Sequence, residues 1–201
     1  MSAVTPAEAW AAMVRGNERF VTGAPEHPRQ DAERRAAVAG GQAPTAVLFG
    51  CSDSRLAAEI IFDRGLGDLF VIRNAGQVIS ASAIASIEYA VAVLGVPLVV
   101  VLAHDACGAV QAAIDLDTAG PLPPRIAGHI APIRPAVRAA GTNDPEAVGK
   151  AHLGNTVAAL VAESEIVADG VAAGTLAVVG ANYRLGEGRV EPVVTVGEIG
   201  A

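Results

Sequence analysis

The chain has 201 residues, 52% of them hydrophobic and only 3% aromatic, and a formal net charge of −7. That length suits a single domain spanning residues 1–201, with an aliphatic core. Its thirteen arginines and one lysine are scattered along an acidic chain, which excludes a basic nucleic-acid-binding face.

The start, Met1-Ser2-Ala3-Val4-Thr5-Pro6, lacks the basic and apolar regions of a secretory signal, so a cytoplasmic protein is expected. Thr5-Pro6-Ala7-Glu8 reads as a capping box with proline at the first helical position. It predicts an amphipathic helix over about Pro6 to Val21, with Trp10, Met13, Val14 and Phe20 on its apolar side. A polar stretch over 23–30 and a short helix near Asp31 to Ala39 complete an N-terminal helical arm of residues 1–41. Thr45 to Gly50 is an apolar, β-rich run ending at Cys51, and Leu69 to Arg73 is a second. Ser82 to Leu94 reads as a helix of small residues, and Pro97 to Ala103 as a strand ending at His104. The longest apolar stretch, about Ala90 to Ala103, is broken by Gly95 and Pro97 and falls short of the roughly 20 residues a membrane span needs, so no membrane partner is expected.

A helix is expected over Cys107 to Leu116, then a Pro/Gly linker over Asp117 to Arg125. Further helices are placed within Ile126 to Ala140 and Glu146 to Ala168. Thr175 to Tyr183 reads as a strand, and Val190 to Val196 as an antiparallel edge strand, a place that tolerates Pro192. Apolar strands alternating with helices predict an α/β fold: a central, mainly parallel sheet flanked by helices.

The chain has two cysteines, and each lies in a motif of metal-binding type. Cys51 opens Cys51-Ser52-Asp53-Ser54-Arg55, and Cys107 closes His104-Asp105-Ala106-Cys107. Two thiolates and an imidazole suit tetrahedral zinc with its fourth position available, which marks a catalytic rather than a structural site. Both motifs follow strands, where α/β proteins gather functional groups. The competing reading is a disulfide, unusual in a chain without a secretion signal. Asp105 is a candidate cap for the following helix. His27, His129 and His152 are read as surface or capping residues, with a proton-shuttle role open to His129 or His152.

These motifs resemble the β-class carbonic anhydrases, and their plant-like branch in particular. The resemblance rests on Cys51-Ser-Asp-Ser-Arg55 and His104-x-x-Cys107-Gly108, supported by residues 68–76 and 86–91. Ala103 departs from it, standing where glycine is usual before the histidine. The resemblance implies reversible hydration of CO2 to bicarbonate and a proton through a zinc-bound hydroxide. It implies one Zn2+ per subunit on Cys51, His104 and Cys107. Asp53 and Arg55 would form a catalytic dyad that orients the zinc-bound water, with Asp53 an alternative fourth ligand in a closed state. Two thiolates neutralise the zinc charge, so activity should rise on the alkaline side of neutrality.

The resemblance also places Gln42, Phe70, Ala75, Tyr89 and the Gly108 N–H at the substrate, in a pocket built partly by a second subunit; ordinary core packing is the other reading of Phe70 and Tyr89. It implies a homodimer or homotetramer, with Trp10 anchoring the N-terminal helix, onto a partner subunit in one reading. Arg73 and Tyr183 match two residues of an inhibitory bicarbonate site, but its tryptophan position is Leu48, which argues against that site here. Hydrolysis of carbonyl sulfide or carbon disulfide on the same scaffold, and a non-catalytic zinc-stabilised domain, are the competing functions.

Overall fold

The computed structural model describes residues 4–118 and 120–200. Helix α1 (Pro6–Val21) begins on a true capping box: the Thr5 side chain accepts from Glu8 N–H while the Glu8 carboxylate accepts from Thr5 N–H. Helix α2 (Ala32–Ala37) is capped by Asp31. Strand β1 (Ala46–Cys51) leads to a four-residue helix α3 (Ala58–Ile61), too short to carry a periodic signal in sequence. Then follow β2 (Leu69–Asn74), α4 (Ala81–Ala92), β3 (Leu98–His104) and α5 (Gly108–Ile114). The linker expected over Asp117–Arg125 lies partly outside the described residues, and its described end passes into α6 (Pro124–Ile130). Helices α7 (Arg134–Ala140), α8 (Pro145–Glu163) and α9 (Glu165–Ala172) precede strands β4 (Ala177–Arg184) and β5 (Arg189–Val196).

The five strands form one sheet in the order β2-β1-β3-β4-β5. The first four are parallel and β5 is antiparallel at the edge, as the sequence predicts. The Val/Leu/Ala-rich strands β1 and β3 are buried along their whole length, because helices cover both faces. One core layer packs Trp10 and Met13 of α1, Ile61 of α3 and Val110 of α5 against Leu48, Val100 and Leu102. The other packs Ile87 of α4 and Leu153, Val157 and Leu160 of α8 against Phe49, Val99 and Val101.

One expectation differs from the fold. The helical stretch Glu146–Ala168 is two helices, because Ser164 adopts an extended backbone that ends α8, and its hydroxyl accepts from Val167 N–H to start α9. Helix α1 of the N-terminal arm packs on this chain itself, whereas α2 buries no residue. Trp10 is buried in this chain's own core. The buried Asn17 side chain donates to the Ile61 and Gly188 carbonyls and accepts from Val190 N–H, tying α1 to both α3 and the β5 hairpin.

Candidate active site

Strands β1 and β3 are parallel neighbours, with Gly50 opposite Leu102, so Cys51 and His104 emerge side by side at their carboxyl ends. Between His104 and Cys107 the chain reverses through Ala106, which takes a left-handed conformation (φ 49°). Asp105 secures this turn: its N–H donates to Tyr183 O and its carboxylate accepts from Leu185 N–H, both at the end of β4. It therefore anchors the loop and does not cap α5. Cys107 itself occupies the position preceding α5, and both cysteines are free thiols, which removes the disulfide reading.

The Cys51, His104 and Cys107 ligand atoms all lie within 4.8 Å of one another, and all three residues are buried. His104 Nδ1 stands 2.8 Å from the Asp105 carbonyl. A carbonyl only accepts, so Nδ1 carries the proton and Nε2 presents a lone pair. Among the described residues that buried Nε2 has no hydrogen-bond partner, a costly state unless a cation takes it up. Two sulfurs and an oriented imidazole lone pair fit a tetrahedral zinc ion with one position to spare.

The two neighbouring sulfurs push their pKa values apart. A hydrogen bond from Cys107 lowers the Cys51 pKa, helped by the Gly76 N–H. The Cys107 pKa is raised because its proton is engaged by Cys51 and because it is buried. The Val110 and Ala109 N–H groups at the start of α5 oppose that rise without making a full side-chain cap.

Asp53 lies in the loop leaving β1. It accepts from Arg55 three times: from Nε (2.8 Å), from the guanidinium NH2 (2.7 Å) and from the backbone N–H (2.9 Å). The Arg55 side chain holds its carboxyl well below the usual range. Its Oδ2 lies 4.0 Å from His104 Nε2, so the dyad borders the ligand set. The Arg55 guanidinium also reaches Ala106 O at 3.3 Å, which links the two motifs. Arg73 is spent on the backbone, donating to Cys51 O and Asp53 O. Tyr183 is buried.

The turn after β2 supplies the metal cluster with a donor. Gly76 N–H donates to Cys51 Sγ at 3.2 Å. Gly76 has φ +81°, and a Cβ there would stand 2.7 Å from the Ala109 Cβ, so glycine is required. Asn74 braces the turn with paired bonds to Val78 N–H and O.

Of the proposed substrate contacts, Ala75 and Gly108 line one hollow of about 430 Å³, walled also by Ala109, Ala112, Ile126 and His129. Gln42, Phe70 and Tyr89 are not among its walls. Phe70 packs against the core layer on the α4 side, its ring 6.1 Å from that of Tyr89, while Tyr89 and Gln42 are exposed.

Two histidines play parts that sequence reasoning missed. His152 is buried, with Nε2 2.8 Å from the Gly76 carbonyl, and burial lowers its pKa. His129 Nε2 is 2.8 Å from the Ala75 carbonyl. Both lie on helices far from the motifs, and only the packing of α6 and α8 brings them to the turn. His27 remains exposed.

Comparison with known proteins agrees with this centre. A family model described as carbonic anhydrase matches residues 46–190. The chain is 48% identical over its whole length to "Carbonic anhydrase 2" of Mycobacterium tuberculosis, covering 99% of that protein. It is 49% identical to a carbonic anhydrase of Mycolicibacterium smegmatis, over 97% of each chain. Among solved structures, a β-carbonic anhydrase of Aspergillus fumigatus superposes with a TM-score of 0.71 at 30% identity, over 91% of this chain and 89% of that one. One of two tetrameric β-carbonic anhydrases of Sordaria macrospora gives a TM-score of 0.72 at 27% identity, over 80% and 86%. A parallel sheet that sets Cys51 beside His104, an unpartnered imidazole nitrogen between two thiols, and near-half identity along the full length lead to one conclusion: the chain belongs to the β-class carbonic anhydrase family.

Proposed function

We propose that this carbonic anhydrase converts CO2 and water reversibly to bicarbonate and a proton, with one zinc ion per subunit held by Cys51 Sγ, His104 Nε2 and Cys107 Sγ. The observation that carries the reading is the convergence of these ligand atoms within 4.8 Å around an imidazole nitrogen that none of the described residues satisfies. Zinc, when bound, would supply a Lewis acid that lowers the pKa of water from 15.7 towards about 7, less far than in an all-imidazole site because two thiolates neutralise its charge.

This chain's residues do the rest. Asp53, kept ionised by Arg55, accepts a hydrogen bond from the attacking water and turns its lone pair towards the substrate carbon. The hollow at Ala75 and Gly108 receives CO2 against methyl walls, and the Gly108 N–H faces the oxygen on which charge develops. We assign the chain to the plant-like branch. In support, Asp53 is engaged by Arg55 and not by the ligand set, and Leu48 occupies the tryptophan position of the inhibitory site.

The active enzyme is a homo-oligomer in this reading. Gln42, Phe70 and Tyr89 do not line this chain's own hollow, and β2 is an open sheet edge, as expected of groups that serve a neighbouring subunit. The test is stopped-flow CO2 hydration with zinc analysis on the same sample. Rate should track zinc content. A zinc-loaded sample inert towards CO2 overturns the reading, and activity on carbonyl sulfide or carbon disulfide in that sample would redirect it to those substrates.

A further inference from the structure

Residues Ala75 and Gly76 offer three polar groups to the surroundings of the metal cluster, and all three are engaged. The Gly76 N–H donates to Cys51 Sγ. The Ala75 carbonyl belongs to the same peptide unit as that N–H, and it accepts from His129 Nε2 of α6 at 2.8 Å. The Gly76 carbonyl, one peptide further on, accepts from buried His152 Nε2 of α8, also at 2.8 Å. Both imidazoles face carbonyls, so each must donate through Nε2–H.

A hydrogen bond to a peptide oxygen polarises that peptide and strengthens its N–H as a donor. His129, the Ala75–Gly76 peptide and Cys51 Sγ therefore form a single donor chain. His152 grips the following carbonyl and keeps the peptide plane aimed at the sulfur. The turn leaves no slack, since Ala109 closes on the Gly76 Cα and Asn74 braces the loop.

We propose that His129 and His152 are positioning residues of the metal centre, acting through Gly76 to set the charge on Cys51 sulfur and so the strength of its bond to the ion. In this role His152 acts through the Gly76 carbonyl and His129 through the Ala75 carbonyl, although His129 also walls the hollow. The proposal rests on the metal reading of the cluster but not on the identity of the substrate.

The test uses cobalt(II) in place of zinc in the full-length protein, because the sulfur-to-cobalt charge-transfer absorption reports sulfur charge directly. His129 is only half-buried, so His129→Ala should fold like the parent. It should shift that absorption and speed zinc release to a chelator about tenfold, the lower end of the effect of losing an outer partner. His129→Gln, which retains a donor at a similar reach, should restore both values towards the parent. His152→Gln should lie nearer the parent than His152→Leu. A folded His129→Ala protein with parental absorption and release overturns the proposal, whatever the His152 variants do. A parent that takes up no cobalt or zinc overturns the metal reading as well. A parent that binds both metals but ignores CO2 leaves the histidine assignment standing on its spectra and overturns only the proposed substrate.

Discussion

Asp53 illustrates how much one side chain's partner decides. A carboxylate close to a metal can become a ligand or can manage a proton, and the choice turns on what else holds it. Here Arg55 takes both carboxylate oxygens, and its own loop position is fixed by Ala106 O. Asp53→Ala should therefore lower kcat/KM for CO2 hydration by about 100-fold, within the range for a lost proton-handling group. Zinc content, measured on the same preparation, should not change. Because Arg55 keeps the carboxyl ionised well into acid, Asp53 should add no inflection to the pH–rate profile between neutral and alkaline pH.

Among the elements, the junction of α1 with α3 depends on another carboxylate. Asp63 follows α3 in a left-handed conformation (φ 45°) and is buried. It accepts from Arg19 of α1 at 2.6 Å and from the Glu26 and His27 N–H groups. Burial alone would raise its pKa, but these donors outweigh it and the net shift is downward. A depressed carboxyl stabilises the fold above its unfolded pKa, near 3.9, and that contribution is lost as pH falls through the lower folded value. Asp63→Ala should cost about 2 kcal/mol in urea unfolding at neutral pH, the scale of a lost charged hydrogen bond, and the gap to the parent should narrow under strong acid.

The elements themselves were largely legible in sequence, because capping residues and apolar runs are local signals. Thr5-x-x-Glu8 marked α1, and Val99-Val100-Val101 marked a strand buried on both faces. The Ser164 break was not legible, since helix formers flank the serine on both sides and its hydroxyl is held by distant Glu88. The ligand set was readable because its residue types are rare in this chain and fall at strand ends. His129 and His152 were not, because their partners are backbone carbonyls, which leave no trace in residue identity.

On the scale of the whole molecule, two of the proposed metal ligands end strands whose ladders are made by backbone groups, Cys51 opposite Asn74 and His104 opposite Tyr183. Strands β1 and β3 pair along Val47–Gly50 and are enclosed by two core layers, so the fold should hold without an ion. Chelation of zinc should abolish CO2 hydration while far-UV circular dichroism stays native, and added zinc should restore the rate. Loss of the native spectrum on chelation would instead indicate a structural zinc domain, of the kind that unfolds without its metal.

The left-handed residue at Ala106 has a further consequence for which ion the centre accepts. Such a conformation costs a non-glycine residue about 1–3 kcal/mol and persists only where its surroundings over-determine it, as the β4 end does here through Asp105. The span between imidazole and thiolate should thereby be held at one length, which suits a small tetrahedral ion better than cations demanding six or more oxygen neighbours. Selection against magnesium and calcium would then rest on the backbone as well as on the softness of sulfur.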